Sequence, residues 1–226
     1  MTVIAMKEIG EVAISDCREG GKDYLLRPSL SAMMGLGDPG EIVSIYAQIH
    51  GSELQKLLAT CETGFKVIPD WMVPSFNVAN DNQLLASMLV LQACCDDDLT
   101  DAIGEWVEED GRIAYQTGLM PKDEIIIFAR HLMQHGVVGK AKVRQLQRNE
   151  ANEATNEFRA IDYIVAAQAH FGMSEADAAS LTMTKFQLLL AAKYPDQNGF
   201  TREEYDAVAD EFLAKQAARR AQANQK

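Results

Sequence analysis

The chain has 226 residues, of which 47% are hydrophobic, so it can bury a sizeable core in one or two domains. Its formal net charge is −12, and an acidic surface repels nucleic acid and anionic lipid, so we expect neither as a partner of the main body. The four cysteines show no spacing typical of a zinc site or a disulfide framework, which predicts reduced thiols in a cytoplasmic protein. The longest apolar run, residues 84–95, is shorter than the roughly 20 residues that span a bilayer.

A β-hairpin is predicted near the N-terminus. Val12 and Ile14 stand two residues apart in the first strand, residues 9–17, and a Gly-Gly pair supplies the turn before residues 24–26. A hairpin of this size is marginally stable alone, so we expect helices to cover it. Three helices are predicted to follow, over residues 30–36, 41–50 and 52–61.

Residues 66–82 predict an irregular connection, because they contain Pro69 and Pro74 among several Asn and Asp residues. The same stretch contains the large apolar residues Trp71, Met72 and Phe76. One interpretation is that these side chains pin the loop to the core. The other is that they form an exposed docking segment, since large exposed apolar groups mark interaction sites.

The most hydrophobic helix is predicted over residues 82–95, at the centre of the first domain. We expect a helix over residues 99–108, a turn at Asp110-Gly111 and a short strand over residues 112–116. Pro121 is expected to open a strong helix that runs to Gln134 and is ended by Gly136.

A C-terminal helical unit is predicted after an almost wholly polar stretch, residues 144–153. Gly172 ends its first helix, Ser174 is a natural N-cap, and Thr201 caps a last helix. The sequence thus predicts a mainly α (α+β) fold, with an N-terminal β-hairpin packed on helices and a C-terminal helical domain. The predicted parts are an N-terminal domain over 1–140, a polar linker or solvated helix over 141–155, the helical domain over 156–215, and a basic frayed tail over 216–226.

No residue pattern in the sequence predicts catalysis or a metal site. His131 and His135 have the i, i+4 spacing of two zinc ligands, but Leu132 stands where a zinc protease needs Glu, so we expect two surface or boundary histidines. Residues 196–204 resemble the back half of a calcium loop, but in that alignment the first and twelfth ligand positions are Tyr194 and Tyr205, and the twelfth requires a bidentate Glu. We therefore predict a non-enzymatic protein without a cofactor.

Most of the chain resembles proteins of the tail-gene cluster of tailed bacteriophages. In the C-terminal third the resemblance rests on residues 158–163, on Phe171-Gly172-Met173-Ser174 and on residues 183–195. In the N-terminal part it rests on an uncharacterised family of such proteins that shares the motifs Glu8-Ile9-Gly10-Glu11, Lys22-Asp23-Tyr24, Arg27-Pro28-Ser29 and Pro39-Gly40-Glu41-Ile42-Val43.

This resemblance implies a tail assembly chaperone of the host cytoplasm, which binds the long helical tape measure protein and tail-tube subunits. The alternatives are a structural minor tail or connector protein of the virion, and a small cytoplasmic enzyme or regulator. Self-association into a homo-oligomer is left open. Ten methionines are available to line adaptable grooves for a client. The side chains expected to contact a client are Met33, Met34, Trp71, Met72, Phe76, Phe186, Leu189 and Phe212.

Overall fold

The computed structural model of the chain describes residues 1–64, 68–109, 111–141 and 156–194. The chain divides into two compact units, residues 1–190 and 191–226, and residues 191–194 are the described part of the second unit. The architecture is mainly helical with two small antiparallel sheets, which confirms the predicted mainly α (α+β) class. Among the described residues, no helix combines the length and the apolar character needed to cross a membrane.

The N-terminal sheet has three antiparallel strands in the order β1 (Thr2–Met6), β2 (Val12–Ser15) and β3 (Asp23–Leu26). β2 and β3 are the predicted hairpin, in which Ile14 lies opposite Tyr24. Strand β1 was not predicted, and it pairs with β2 in an irregular register. Because side chains alternate along a strand, one face of the hairpin enters the core. Its buried side chains are Val12, Ile14, Tyr24 and Leu26.

The remaining described elements are helices and one further hairpin. The helices predicted over residues 30–36, 41–50, 52–61 and 158–171 are all present. The α-helices are α1 (Leu30–Met34), α2 (Pro39–Ile49), α3 (Ser52–Gly64), α4 (Val73–Ala93), α5 (Thr100–Ile103), α6 (Lys122–Met133), α7 (Ala160–Phe171), α8 (Glu175–Ala179) and α9 (Met183–Lys193). The others are a 3₁₀-helix (Asp70–Met72), a π-helix (Gln134–Val138) and the strands β4 (Glu105–Glu109) and β5 (Arg112–Gln116).

Several helix ends follow directly from their sequence. The Ser29 hydroxyl accepts the backbone N–H of Ala32 at the start of α1. The Ser174 hydroxyl accepts the N–H of Asp177 at the start of α8, as predicted. Gly172 ends α7 with φ +67°, a conformation that glycine adopts without steric cost.

Helix α4 lies at the centre of the helical part, where it packs against α2, α3 and α6. Its second half contributes the buried side chains Leu84, Val90 and Leu91 to the core, which confirms the central place predicted for residues 82–95. The side chain of Gln83 is also buried, and its Nε2 donates to the carbonyl of Ile49 at 2.7 Å. This bond ties α4 to the end of α2.

The core of the first unit is shared by the sheet and by helices from both ends of the chain. The N–H of Leu30 donates to the carbonyl of Leu181 at 2.8 Å, and the N–H of Phe158 donates to the carbonyl of Pro39 at 2.9 Å. The predicted C-terminal helices therefore pack directly on α1 and α2. Residues 142–155 and 195–226 lie outside the described part, so the predicted linker, the capped helix at Thr201 and the basic tail stay predictions.

The irregular connection predicted over residues 66–82 is wrong in its second half, because α4 begins at Val73. Pro74 stands in the first turn of α4, where a missing N–H costs nothing because the first N–H groups have no partner within the helix. The prolines therefore mark the start of the helix rather than a loop.

The helix predicted over residues 99–108 is also wrong. Helix α5 stops at Ile103, and Gly104 has φ +80°; a Cβ atom there would lie 2.2 Å from the carbonyl oxygen of Gln116. The chain continues as the hairpin β4–β5, in which Trp106 packs against Tyr115 across the strands. The predicted strand over residues 112–116 is confirmed as β5.

The end of α6 is not at Gly136 as predicted. Helix α6 passes directly into the π-helix, and this helical segment ends at Gly139, which has φ +81°. Gly136 lies inside the π-helix, where a Cβ atom would come within 2.7 Å of the sulfur of Met33. The glycine at this position therefore allows close packing on α1 rather than ending the helix.

Candidate protein-binding surface

Helix α4 carries apolar side chains on its outer face as well as on its buried one. Val78, Leu85 and Leu89 are exposed, and Val78 keeps 59% of its surface accessible. They are separated by seven and four residues, so they lie on one face of the helix. At a rise of 1.5 Å per residue this row spans about 16 Å, and we call it the α4 stripe.

A groove runs beside the first half of this stripe, between α3 and α4, with a volume of about 480 Å³. Its two walls are held together by polar contacts, because Asn82 Nδ2 of α4 donates to Glu53 Oε2 of α3 at 3.2 Å. An apolar floor with charged residues at the rim is typical of surfaces that bind another protein. The lining residues are Glu53, Lys56, Leu57, Pro74, Ser75, Val78 and Ala79.

The sequence of α4 explains why the stripe is left outside. Between Asp81 and Gln92, the exposed positions are 81, 85, 89 and 92, while the positions between them are mainly buried. The side chains that α4 contributes to the core all lie on its buried side, and Val78, Leu85 and Leu89 are not among them. The stripe is not continuous, because the exposed Asp81 lies on the same face between Val78 and Leu85. Large exposed apolar groups that lie together mark interaction sites, and Leu85 and Leu89 are one helical turn apart.

The apolar residues predicted to contact a client do not come together in one surface. Trp71 is 69% exposed in the 3₁₀-helix just before α4, and Met34 is exposed at the end of α1. Phe76 and Leu189 are half-buried. Met33, Met72 and Phe186 are buried, and Phe212 lies outside the described residues.

The buried members of that set have clear structural partners. The sulfur of Met72 lies 3.6 Å from the Cys61 thiol, which packs the 3₁₀-helix onto α3. The ring of Phe186 meets the rings of Tyr163 and Phe171 edge to face, at centroid distances of 5.6 and 6.0 Å. These side chains hold the core together. Met72 is pinned to the core, as the first interpretation of this segment expects, whereas Trp71 is exposed, and its role in docking stays a prediction.

Sequence reasoning missed the α4 stripe because it began this helix nine residues too late. With residues 66–82 treated as irregular, Val78 had no helical position, and Leu85 and Leu89 were counted only as core. The signal that was available is a run of 21 residues that is apolar on more than one side.

The prediction of two surface or boundary histidines agrees with the position of His131 and is wrong for His135, which is buried. His135 is 4% exposed, His131 is half-buried, and their rings lie 4.6 Å apart. Burial lowers the pKa of His135 to about 4, and the neighbouring His131 and Lys140 add to this effect. In the described part of the chain, no group of three or more His, Cys, Asp or Glu side chains is placed to hold a metal ion.

Comparison with known proteins gives one match. Residues 26–207, which run from the end of β3 to beyond α9, match the model of a family of unknown function, DUF6246. No curated protein and no solved structure matches the chain.

Proposed function

The chain belongs to the DUF6246 family of unknown function, and we propose that it works by binding another protein along the α4 stripe rather than by catalysis. The observation that carries this proposal is the set of exposed apolar side chains Val78, Leu85 and Leu89 on the outer side of a helix whose inner side packs in the core. Fully burying a Val or Leu side chain stabilises by about 1.5–3 kcal/mol, so each half-exposed member of the stripe has about 1 kcal/mol left to contribute to binding.

The specific role that we propose is that of a phage tail assembly chaperone in the host cytoplasm. Its clients are the tape measure protein and tail-tube subunits. The resemblance of the sequence to tail-cluster proteins supports this choice, and so does the form of the stripe. Exposed apolar side chains along one face of a helix, with Asp81 among them, are suited to an amphipathic helical client, and the net charge of −12 favours the solubility of a loaded complex.

The test is co-expression of the full chain with the tape measure protein of the same genome, which this proposal expects to be encoded directly after it, followed by co-purification and measurement of affinity. We expect Val78→Asp to weaken the complex at least about tenfold, because the substitution removes an apolar contact and buries a charge at the interface. The matched control is Val165→Asp on α7, which is 55% exposed and is also the sixth residue of its helix. Both variants are expected to remain folded, since exposed substitutions usually change stability by less than about 0.5 kcal/mol.

Equal loss of binding in the two variants would contradict the assignment of the surface. Failure of the wild-type chain to bind that protein would contradict the chaperone role. Mass spectrometry of purified virions gives an independent check, because a chaperone is absent from the finished particle, whereas a minor tail or connector protein is present in stoichiometric amounts.

A further inference from the structure

A second cavity, separate from the α4 stripe, lies beside the two histidines and has a volume of about 680 Å³. It is bounded by the turn after β1, by the end of α6 with the π-helix, and by the first turn of α9. Its size is within the range of about 300–1,000 Å³ that is usual for small-ligand sites. Met6 and Leu188 form apolar walls, and the other side chains that line it are mainly polar or basic.

Basic groups are concentrated at this cavity although the whole chain is acidic. The side chains of Lys7 and Lys140 line it, together with both imidazoles. Lys7 pairs with Glu11, but Glu11 is also paired with Arg27 at 3.1 Å, so this three-residue group keeps a net positive charge.

Glu8 is the one carboxylate among the described lining residues. The cavity also lies at the N-terminal end of α9, where the helix dipole is positive.

The inner wall of the cavity is fixed by hydrogen bonds between buried groups. The backbone N–H of Lys140 donates to Thr184 Oγ1 at 3.0 Å, and the same oxygen lies 2.8 Å from His135 Nδ1. The hydroxyl oxygen accepts from Lys140 and still has a second lone pair and a hydrogen, so its contact with His135 Nδ1 fits either tautomer of the neutral ring. His135 and Thr184 are both almost fully buried.

The backbone around this wall is packed tightly enough to resist rearrangement. Gly10, with φ +94°, passes so close to His135 that a Cβ atom would lie 2.2 Å from the histidine Cβ. On the other side Gln187 Nε2 donates to the carbonyl of Val138 at 2.8 Å, which holds the end of the π-helix against α9. π-Helices occur frequently at functional sites, and this one carries His135.

We propose that this cavity binds a small oxyanion, a carboxylate or phosphate group, between Lys140, Lys7 and the imidazole side of His135. The ammonium groups supply the charge, the positive end of α9 adds to it, and the apolar walls accept a short hydrocarbon part of the ligand. Burial lowers the pKa of His131, and the positive charge of Lys140 lowers it further. A hydrogen bond with the backbone of Gly10 raises this pKa by a smaller amount. A bound anion acts against this effect of Lys140 and favours protonated histidine.

The test is an NMR titration of the histidine side chains in the full chain, with inorganic phosphate in one arm and hexanoate in the other. Sodium chloride at equal ionic strength is the reference. We expect saturable shifts of the His131 and His135 signals and an increase in their pKa values that chloride does not produce. The arm that saturates at lower concentration identifies the phosphate or the carboxylate as the preferred group.

Lys140→Ala keeps the backbone N–H that contacts Thr184 and is expected to weaken binding about fivefold, the size of one partly screened ion pair. The control is Lys185→Ala, an exposed lysine next to Thr184 that does not line the cavity. Val78 does not line this cavity, so Val78→Asp is expected to leave the histidine titration unchanged. The anion titration therefore tests the cavity separately from protein binding at the α4 stripe. Shifts no larger than those in chloride, or equal effects of the two lysine variants, would overturn the inference.

Discussion

We expect this protein to lose stability in mild acid, and we expect the replacement of His135 by glutamine to remove much of that loss. The imidazole is 4% exposed, and burial, together with His131 and Lys140, lowers its pKa from the ordinary 6.5 to about 4. In the unfolded chain the ring takes up a proton near pH 6.5, whereas in the folded protein it stays neutral until about pH 4. The unfolded state therefore binds more protons in this window, and stability falls as the pH falls through it.

The magnitude follows from the two pKa values. One pKa unit corresponds to about 1.4 kcal/mol, so the full effect is about 3 kcal/mol, of which about 2 kcal/mol is lost between pH 7 and pH 5. We expect urea unfolding, followed by circular dichroism, to show that His135→Gln loses about 2 kcal/mol less than the wild type between these two pH values.

Thr184→Val is the control for this experiment. It removes the hydroxyl that lies 2.8 Å from His135 Nδ1 but leaves the imidazole buried. We expect this variant to be less stable at both pH values by about 1–2 kcal/mol while it keeps the pH dependence of the wild type. If His135→Gln shows the same loss between pH 7 and pH 5 as the wild type, the reasoning is refuted, because the histidine is then not held neutral by the fold.

Three further substitutions test local features of the fold. Gly10→Ala is expected to lower the free energy of unfolding by about 3 kcal/mol, since it combines a positive φ with a clash against His135. Gly20→Ala, at φ +77° with open space around it, should lower it by only about 1 kcal/mol. The melting temperatures of the two variants separate the clash from the backbone strain. Ser174→Ala removes an N-cap and should lower the free energy of unfolding in guanidinium by about 1 kcal/mol.

Glu11→Gln should cost about 2 kcal/mol at pH 7. Burial raises the pKa of Glu11, but its two cationic partners outweigh this and lower it below the usual value. The stabilisation by Glu11 is therefore fully present above its ordinary pKa of 4.5, and in the same unfolding assay it should disappear as the pH falls through the lowered pKa of the folded state.

The parts of the fold that were predictable are those encoded by local chemistry. Alternating apolar residues and a Gly-Gly turn predicted β2 and β3, and serine caps and Gly172 predicted the limits of α8 and α7. The errors occurred where a contact distant in sequence decides the backbone. At Gly104 the helix ends, and the backbone lies so close to the Gln116 carbonyl that only glycine fits. At Gly136 the helical segment continues, and the absence of a side chain leaves room for Met33.

The candidate surfaces were harder to predict than the fold for the same reason. Exposure of Val78, Leu85 and Leu89 depends on which side of α4 its neighbours cover, and periodicity alone does not supply that information. The cavity beside His135 is assembled from residues of three distant segments, and only the i, i+4 spacing of the histidines was visible in the sequence.

The core that joins the sheet to α7 and α9 makes the segments before residue 142 and after residue 155 depend on each other within the first unit. A fragment ending at residue 141 would leave Leu30 without its partner at Leu181, and a fragment starting at residue 156 would leave Phe158 without Pro39. Neither fragment contains all the residues of the hydrophobic core. Together, the two fragments contain every residue of the described core, so they are suited to reassemble as a split protein. The affinity of the two fragments for each other would then measure how strongly this core holds them together.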